Sequence, residues 1–540
     1  MSNLAPYDPR RLPYGNIGFA DMRERQKIYV DKTDLLYQIA IQDVPIFFSR
    51  PRRFGKSLLI NTLASLFADG LKYFKGLAIE KMWNDKTYQV IRLDFSSLAD
   101  KPPQDFKRGL GDKLITKFNV EGRVSKNDEN GIRDPDIILA QILEKSLNNS
   151  IVLLIDEYDA PLTHNIDKED NLNSIMMALN SFYATIKEYT DKFRLIFITG
   201  VTRISHISIF SAFNNLNDLS LSPEFNSLLG FTQNDLVHYF DPYVEHATQI
   251  LNMSKDDIYA RIQQYYDGFQ FTLDAEETLY NPWSIINFLY KQQAGFRNYW
   301  FKSSGSSTII MQYLKDSSFF QSFSYTDNDI CISEDELSDR HEISNIPRDL
   351  LLYQTGYLTI RQTSDDTARL VFPNTEVEDS ILKLSLLAHN LRPDQKYSAE
   401  IDKLPVYIDK RNLEEIVNLF NNIINDCVSI LSNIFNDERS VRDIIYAALP
   451  QKMKLQKIKE RETCRGRSDL ELLTRKTHMI IEFKRTQSNR GKHASLEEAK
   501  AQIKSKQYGL SPFQTYNLYR VAMVISSEEK KILYDFCEEI

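Results

Sequence analysis

Three stretches of this 540-residue chain combine residue types at spacings that do chemistry. The first is Arg50-Pro51-Arg52-Arg53-Phe54-Gly55-Lys56-Ser57, between an apolar run at 45–49 and an amphipathic stretch at 57–68. A strand, a glycine-bearing loop and a helix start form the setting of a phosphate-binding loop. Gly55 lets the backbone approach a phosphate, and the amides at the helix start face the anion. Lys56 would reach the β- and γ-phosphates and Ser57 would hold Mg²⁺. Arg53 and Phe54 belong to the same loop, and Arg50 stands where the usual pattern has its first glycine. The second stretch is the apolar run 151–155 ending in Asp156-Glu157-Tyr158-Asp159. A carboxylate at a strand tip holds Mg²⁺ directly or through water, and the next one polarises the attacking water. These roles fall to Asp156 and Glu157. Either stretch alone has a bland alternative, a chance GKS triplet or a buried strand meeting a capped loop. A third apolar run ends at Thr199-Gly200-Val201-Thr202-Arg203. It offers Thr199 to sense a terminal phosphate and Arg203 to stabilise transition-state charge, or simply a strand-end turn.

A different chemistry is written near the C-terminus. Asp469 is separated by twelve residues from Glu482-Phe483-Lys484. Residues two apart on a strand share a face, so Glu482 and Lys484 point one way and Phe483 points into the core. A turn near Lys476 and Thr477 would align Asp469 with them across a hairpin. Two carboxylates holding Mg²⁺ beside a lysine that positions water is a hydrolytic arrangement. The alternative is a solvated, salt-bridged edge strand. The motif lies in a basic island: residues 451–510 carry 16 Lys and Arg against 7 Asp and Glu, in a chain of net charge −8. Such an island suits a polyanion, with Arg465, Arg467, Lys484 and Arg485 meeting phosphates without sequence choice.

The elements that position these residues follow from pattern. Short apolar β-rich runs at 45–49, 89–95, 151–155 and 194–200 alternate with helical segments at 57–68 and 170–188, predicting a parallel sheet covered on both faces. This α/β region spans 1–240. Residues 241–395 read as a mostly helical middle domain whose aromatic cluster at 283–301 suits a core better than a base-stacking platform. The polar stretch 396–412 suggests a boundary. From there to 540 the pattern is helix (413–449), strands (468–474, 478–484), helix (495–508) and strand (519–525).

Several functions are excluded or disfavoured. No run approaches the roughly 18 apolar residues of a membrane span, and the N-terminus lacks the apolar core of a secretory signal. Four scattered cysteines, Cys331, Cys427, Cys464 and Cys537, give neither a disulfide framework nor a zinc ribbon, and a reducing cytoplasm is the expected compartment. No HExxH or GxSxG occurs, so a zinc or serine hydrolase of those types has no support. Nothing in the sequence specifies an oligomer.

The chain resembles the AAA-ATPase-like family of prokaryotic proteins, in which an unusual P-loop ATPase precedes a C-terminal PD-(D/E)XK nuclease-like domain. The matching stretches are IYVDKT (28–33), RPRRFGKSLL (50–59), LIDEYDAPL (154–162), FITGVTRIS (197–205) and IFSAFNNLNDLS (209–220), then YYDGFQF (265–271), YNPWSIINFL (280–289), LLYQTGYLTI (351–360) and PNTEV (373–377). The resemblance implies that Arg50 is a family feature and that Asp31, Lys32 and Thr33 lie near a nucleotide base. It further implies a restriction-endonuclease-like α/β domain at 396–540, completed by Gln502 and Tyr508 on the following helix and by an upstream helical acid, Glu438. The expectation is an ATP- and Mg²⁺-using protein that binds and hydrolyses nucleotide and acts on nucleic acid, DNA before RNA. The alternative is a nucleotide-dependent regulatory or binding protein with an inactive nuclease fold, and export as an effector stays open.

Overall fold

The structure is a computed structural model; it describes residues 7–15, 17–120, 127–128, 131–132, 134–204, 213, 215–275, 277–300, 308–315, 331–339, 341–343, 345–364, 367–428, 438–450, 455–463, 466–506 and 517–539. The chain divides into two compact units, one of residues 1–310 with 329–377, the other of 311–328 with 378–540.

The first unit is built on a five-stranded, all-parallel sheet. Its strands are β1 (Ile46–Ser49), β2 (Gln89–Asp94), β3 (Ile151–Asp156), β4 (Phe193–Gly200) and β5 (Asn217–Asp218), in the order β2-β3-β4-β1-β5. Ile151 to Asp156 are all buried, as are Ile46 to Ser49. Sheets covered by helices on both faces need such uninterrupted apolar strands. Helix α1 (Lys56–Asp69) follows β1, and α2 (Glu169–Glu188) lies between β3 and β4. The register pairs Phe48 with Thr199 and Leu154 with Phe197, so the C-terminal ends of β1, β4 and β3 lie side by side. In open parallel sheets that edge is where ligands bind.

The helices α3 (Gln233–Leu251), α4 (Lys255–Tyr266) and α5 (Pro282–Tyr290) form a second core in the same unit, with Tyr266, Phe288, Phe296 and Tyr299 among its buried aromatics. The expected aromatic core is present. Among the described residues the exceptions are Trp283, half-buried against a cavity, and Tyr290, which is exposed. A three-stranded antiparallel sheet, order β6-β8-β7, is added by β6 (Cys331–Ser333), β7 (Thr359–Ser364) and β8 (Thr367–Val371). Sequence pattern missed it because these strands are short and their neighbours helical.

The second unit carries α6 (Ser398–Asp409), α7 (Leu413–Val428) and α8 (Glu438–Ala448), then a five-stranded mixed sheet. Its strands are β9 (Gln456–Thr463), β10 (Gly466–Leu473), β11 (Thr477–Thr486), β12 (Asn517–Ser526) and β13 (Lys531–Glu539), with α9 (Lys492–Lys506) before β12. The order is β9-β10-β11-β12-β13, and β11–β12 is parallel while the other pairs are antiparallel. One face, with Leu470, Leu472, Met479, Ile481 and Phe483, packs on apolar residues of α6, α7 and α8. Against the other, Ala499 and Ile503 of α9 cover Ala522. The polar stretch 396–412 folds mainly as α6, buried through Ile401, Leu404 and Ile408.

Candidate functional sites

At the phosphate-loop candidate, β1 ends at Ser49 and α1 begins at Lys56, with Gly55 as N-cap in the left-handed region at φ 103°. Arg53, also left-handed at φ 70°, supplies the other reversal. A non-glycine residue there is strained by about 1–2 kcal/mol, and such strain gathers at ligand clamps. Lys56 is buried, and its ammonium donates to the carbonyls of Arg50 at 2.7 Å and Pro51 at 3.0 Å. Burial lowers its pKa, and Asp156, Glu157 and Asp159 oppose this.

The tip of β3 comes to this loop. Ser57 lies close enough to the Asp156 carboxylate to favour its charged form. The buried Asp156 Oδ1 has no hydrogen-bond partner among the described residues. Burial raises the Asp156 pKa, while Ser57 and Lys56 pull it down. Glu157 adopts φ 51°, and burial raises its pKa against the pull of Lys56. An orphaned carboxylate oxygen beside a serine hydroxyl, next to a lysine, is a donor set that fits a hydrated Mg²⁺ and its phosphates.

Thr199 and Arg203 have other partners. The Thr199 hydroxyl donates to Phe48 O at 2.6 Å, tying β4 to β1. Arg203 is buried; it donates to Leu337 O at 2.9 Å and pairs with Asp218 at 2.5 Å. The residue that organises this strand end is Asp159. Its carboxylate accepts from the amides of Val201 and Thr202 and from the Thr202 hydroxyl at 2.6 Å. Tyr158 adds a bond to Thr202 O at 2.8 Å. Sequence reasoning assigned neither residue, although both belong to the DEYD run.

Beside Gly55 and Ser57 opens a cavity of about 230 Å³, its walls including Tyr29, Lys32, Phe231, Trp283 and Ile286. The Arg53 guanidinium lies 4.7 Å from the Trp283 ring centre, whereas Phe54 turns into the core against Phe269 and Phe271. Of the 31–33 segment, Lys32 lines the cavity. Asp31 accepts from the Thr33 amide and hydroxyl and from the Ala78 amide, and Lys32 pairs with Asp235 at 2.7 Å.

In the second unit, a turn closed by Thr474 N donating to Thr477 O at 2.8 Å joins β10 to β11. Leu470 pairs with Ile481, which brings Asp469 beside Glu482. Asp469 Oδ2 accepts from Phe483 N at 2.7 Å, and its Oδ1 lies 3.5 Å from the Arg442 guanidinium. Glu482 is 1% exposed, and its Oε2 has no hydrogen-bond partner among the described residues. Lys484 Nζ stands 4.0 Å from Glu482 Oε1. Burial pushes the Glu482 pKa up to about 9; the charges of Asp469 and Glu438 push the same way, and Lys484 and Arg442 oppose them. Glu438, at the start of α8, is thus electrically part of the site. Gln502 sits half-buried on α9 beside Ile503, which packs on Ala522, the register partner of Glu482. Tyr508, Arg465 and the Arg467 side chain lie outside the described residues.

No group of three or more His, Cys, Asp or Glu residues among the described residues is arranged to hold a metal by itself. Mg²⁺ keeps several waters and takes one or two carboxylates, so Asp469 and the orphaned oxygen of Glu482 still fit such an ion. Sequence reasoning missed Arg442, four residues after Glu438 on the same helix.

Comparison with known proteins gives two family matches. Residues 13–210 match the family described as "Predicted AAA-ATPase", and residues 436–534 match the PD-(D/E)XK nuclease superfamily. The chain is also similar to an uncharacterized protein in the vnfD 5' region of Azotobacter chroococcum mcd 1, at 31% identity over 390 residues, covering 71% of each chain. No solved structure matches. Among the described residues, no helix is long and apolar enough to cross a membrane.

Proposed function

Because this chain belongs to the AAA-ATPase-like family and carries a PD-(D/E)XK nuclease superfamily domain, we propose that it binds and hydrolyses ATP with Mg²⁺ and that its second unit cleaves nucleic acid, DNA in the first instance. The observation that carries the nucleotide reading is the orphaned Asp156 Oδ1 at a strand tip beside a loop with left-handed Gly55 and a buried Lys56 held on its carbonyls. The amides at the start of α1 receive the phosphates, whose oxygens replace the Arg50 and Pro51 carbonyls as partners of Lys56. Mg²⁺ would be held by Ser57 and Asp156 and would neutralise charge on the phosphates. Glu157, its pKa raised by burial, orients and deprotonates the attacking water. The base enters the cavity between Tyr29 and Trp283. Thr199 fixes β4, and Arg203 braces the strand end, in place of direct phosphate contacts.

In the second unit, Asp469 and Glu482 would hold Mg²⁺, which would polarise the scissile phosphate. Lys484 positions the attacking water, Glu438 and Gln502 flank the site, and the basic residues around it grip the backbone. We keep 1–240, 241–395 and 396–540 as the working functional parts, with the cytoplasm as the site of action. Nucleotide state at Lys56 governs cleavage at Asp469. The test is paired: Lys56→Ala should abolish ATP turnover, and Asp469→Ala should abolish plasmid nicking while sparing turnover. Turnover retained in the first variant, or nicking retained in the second, refutes the corresponding half.

One observation favours a second reading, a nucleotide-dependent binder. The Arg442 guanidinium already balances Asp469. Metal-dependent nicking that is equal in wild type and Glu482→Ala would favour it.

A further inference from the structure

Behind the phosphate loop lies a second, much smaller cavity. Its volume is about 20 Å³, and its walls include Arg50, Arg203, Ser220, Phe271, Tyr353 and Gln354. A space of that size takes one body the size of a water molecule, which excludes phosphate, sulfate and carboxylates.

The unpaired polar atoms of its lining are all donors. Arg50, Arg203 and Gln354 are 2%, 5% and 6% exposed. Each has a buried donor nitrogen without an acceptor among the described residues: Arg50 Nε, Arg203 Nε and Gln354 Nε2. Their other groups are committed. Arg50 donates to the carbonyls of Ser49, Ser220 and Phe225 and is held between the rings of Phe48 and Phe271, each 4.3 Å from its guanidinium carbon. Arg203 donates to Leu337 O and Asp218, and Gln354 Oε1 accepts from Arg203 N at 3.1 Å. The Tyr353 hydroxyl donates to Phe271 O. Among the described residues, these two guanidiniums thus meet one carboxylate, Asp218, leaving one positive charge in a buried place.

Orphaned buried donors are costly, and a buried uncompensated charge more so. A water accepting from them would leave the charge uncompensated. A monatomic anion accepts from every side and cancels the charge. We propose that this cavity is a halide site, occupied by chloride, which fixes Arg50 at the base of the phosphate loop. The link to the loop is direct: the backbone carbonyl of Arg50 accepts from Lys56 Nζ at 2.7 Å. An arginine in place of the first loop glycine therefore creates an anion requirement behind the loop, separate from any nucleotide in front of it.

The test uses the full chain. Crystals soaked in sodium bromide and measured at the bromine absorption edge should show an anomalous peak between Arg50, Arg203 and Gln354. Melting without nucleotide should show a saturating rise of about 2–4 °C when chloride replaces gluconate at constant ionic strength. Gln354→Glu keeps the oxygen that accepts from Arg203 N and supplies a built-in carboxylate, so it should lose the chloride response. A peak-free map with ordinary water in the cavity overturns the proposal. So do equal melting temperatures in the two salts, or a chloride response undiminished in Gln354→Glu. Should that variant not fold, the wild-type bromide map decides alone.

Discussion

Glu482 is the residue where burial and function meet most sharply. Its carboxyl is pushed up to about 9, first by burial and then by Asp469. A carboxyl raised above its unfolded value, near 4.3, keeps its proton in the folded state while the unfolded chain ionises. Its contribution is intact at pH 4 and is lost as pH rises from there toward 9. Metal-free Glu482→Gln should therefore melt higher than wild type at pH 8, with the gap closing by pH 4.5, as differential scanning calorimetry would read. A Mg²⁺ ion taken up at Glu482 would have to displace that proton, so metal affinity should rise with pH in wild type; a pH-independent affinity would show that the carboxyl is already ionised. In the other unit, Asp159 accepts three hydrogen bonds from 201–202. Asp159→Ala leaves those donors unmet and should cost about 2–4 kcal/mol in urea unfolding.

At the scale of elements, the phosphate loop is held from outside by distant segments of its own unit. Phe54 packs on Phe269 and Phe271, Arg50 lies against Phe271, and Trp300 donates to Arg52 O. Gly356, at φ 84°, is so close to Pro51 that a Cβ there would lie 2.7 Å from it. The YDGFQF and QTGYL stretches therefore buttress the loop. Gly268 shows how tightly: it has φ 96°, and an added Cβ would fall 2.0 Å from Pro373 O. Gly268→Ala should destabilise the protein by about 2 kcal/mol or more, seen as a lower urea midpoint at unchanged slope. The parallel strands and the hairpin carrying Asp469 and Glu482 were legible because apolar runs and two-residue alternation are local signals. The strands β9 and β13 were not, because Gln456–Thr463 and Lys531–Glu539 are charged sequences whose pairing depends on neighbours distant in the chain. The spacing that located Asp156 and Ser57 carried no sign that Thr199 and Arg203 would be spent on tying β4 and β5 in place, since their acceptors, Phe48 O and Asp218, are met only in the folded sheet.

For the whole molecule, net charge and local charge point in opposite directions. The chain carries −8 overall, yet the hairpin of Asp469 and Glu482 sits in the basic stretch 451–510. Binding to nucleic acid should then be local and strongly salt-dependent. Plasmid binding by the metal-free protein should weaken on the order of tenfold or more between 50 and 200 mM salt, measured by anisotropy; a flat response would remove the phosphate-gripping role from this region.

The most direct test is titration of ATP with Mg²⁺ into the wild-type protein and into Lys56→Ala and Ser57→Ala, followed by calorimetry. Wild type should bind saturably and with Mg²⁺ dependence, Lys56→Ala little or not at all, and Ser57→Ala without any gain from Mg²⁺. Wild-type protein that takes up no ATP, or a folded Lys56→Ala protein that binds ATP·Mg²⁺ as tightly as wild type, would contradict the nucleotide reading.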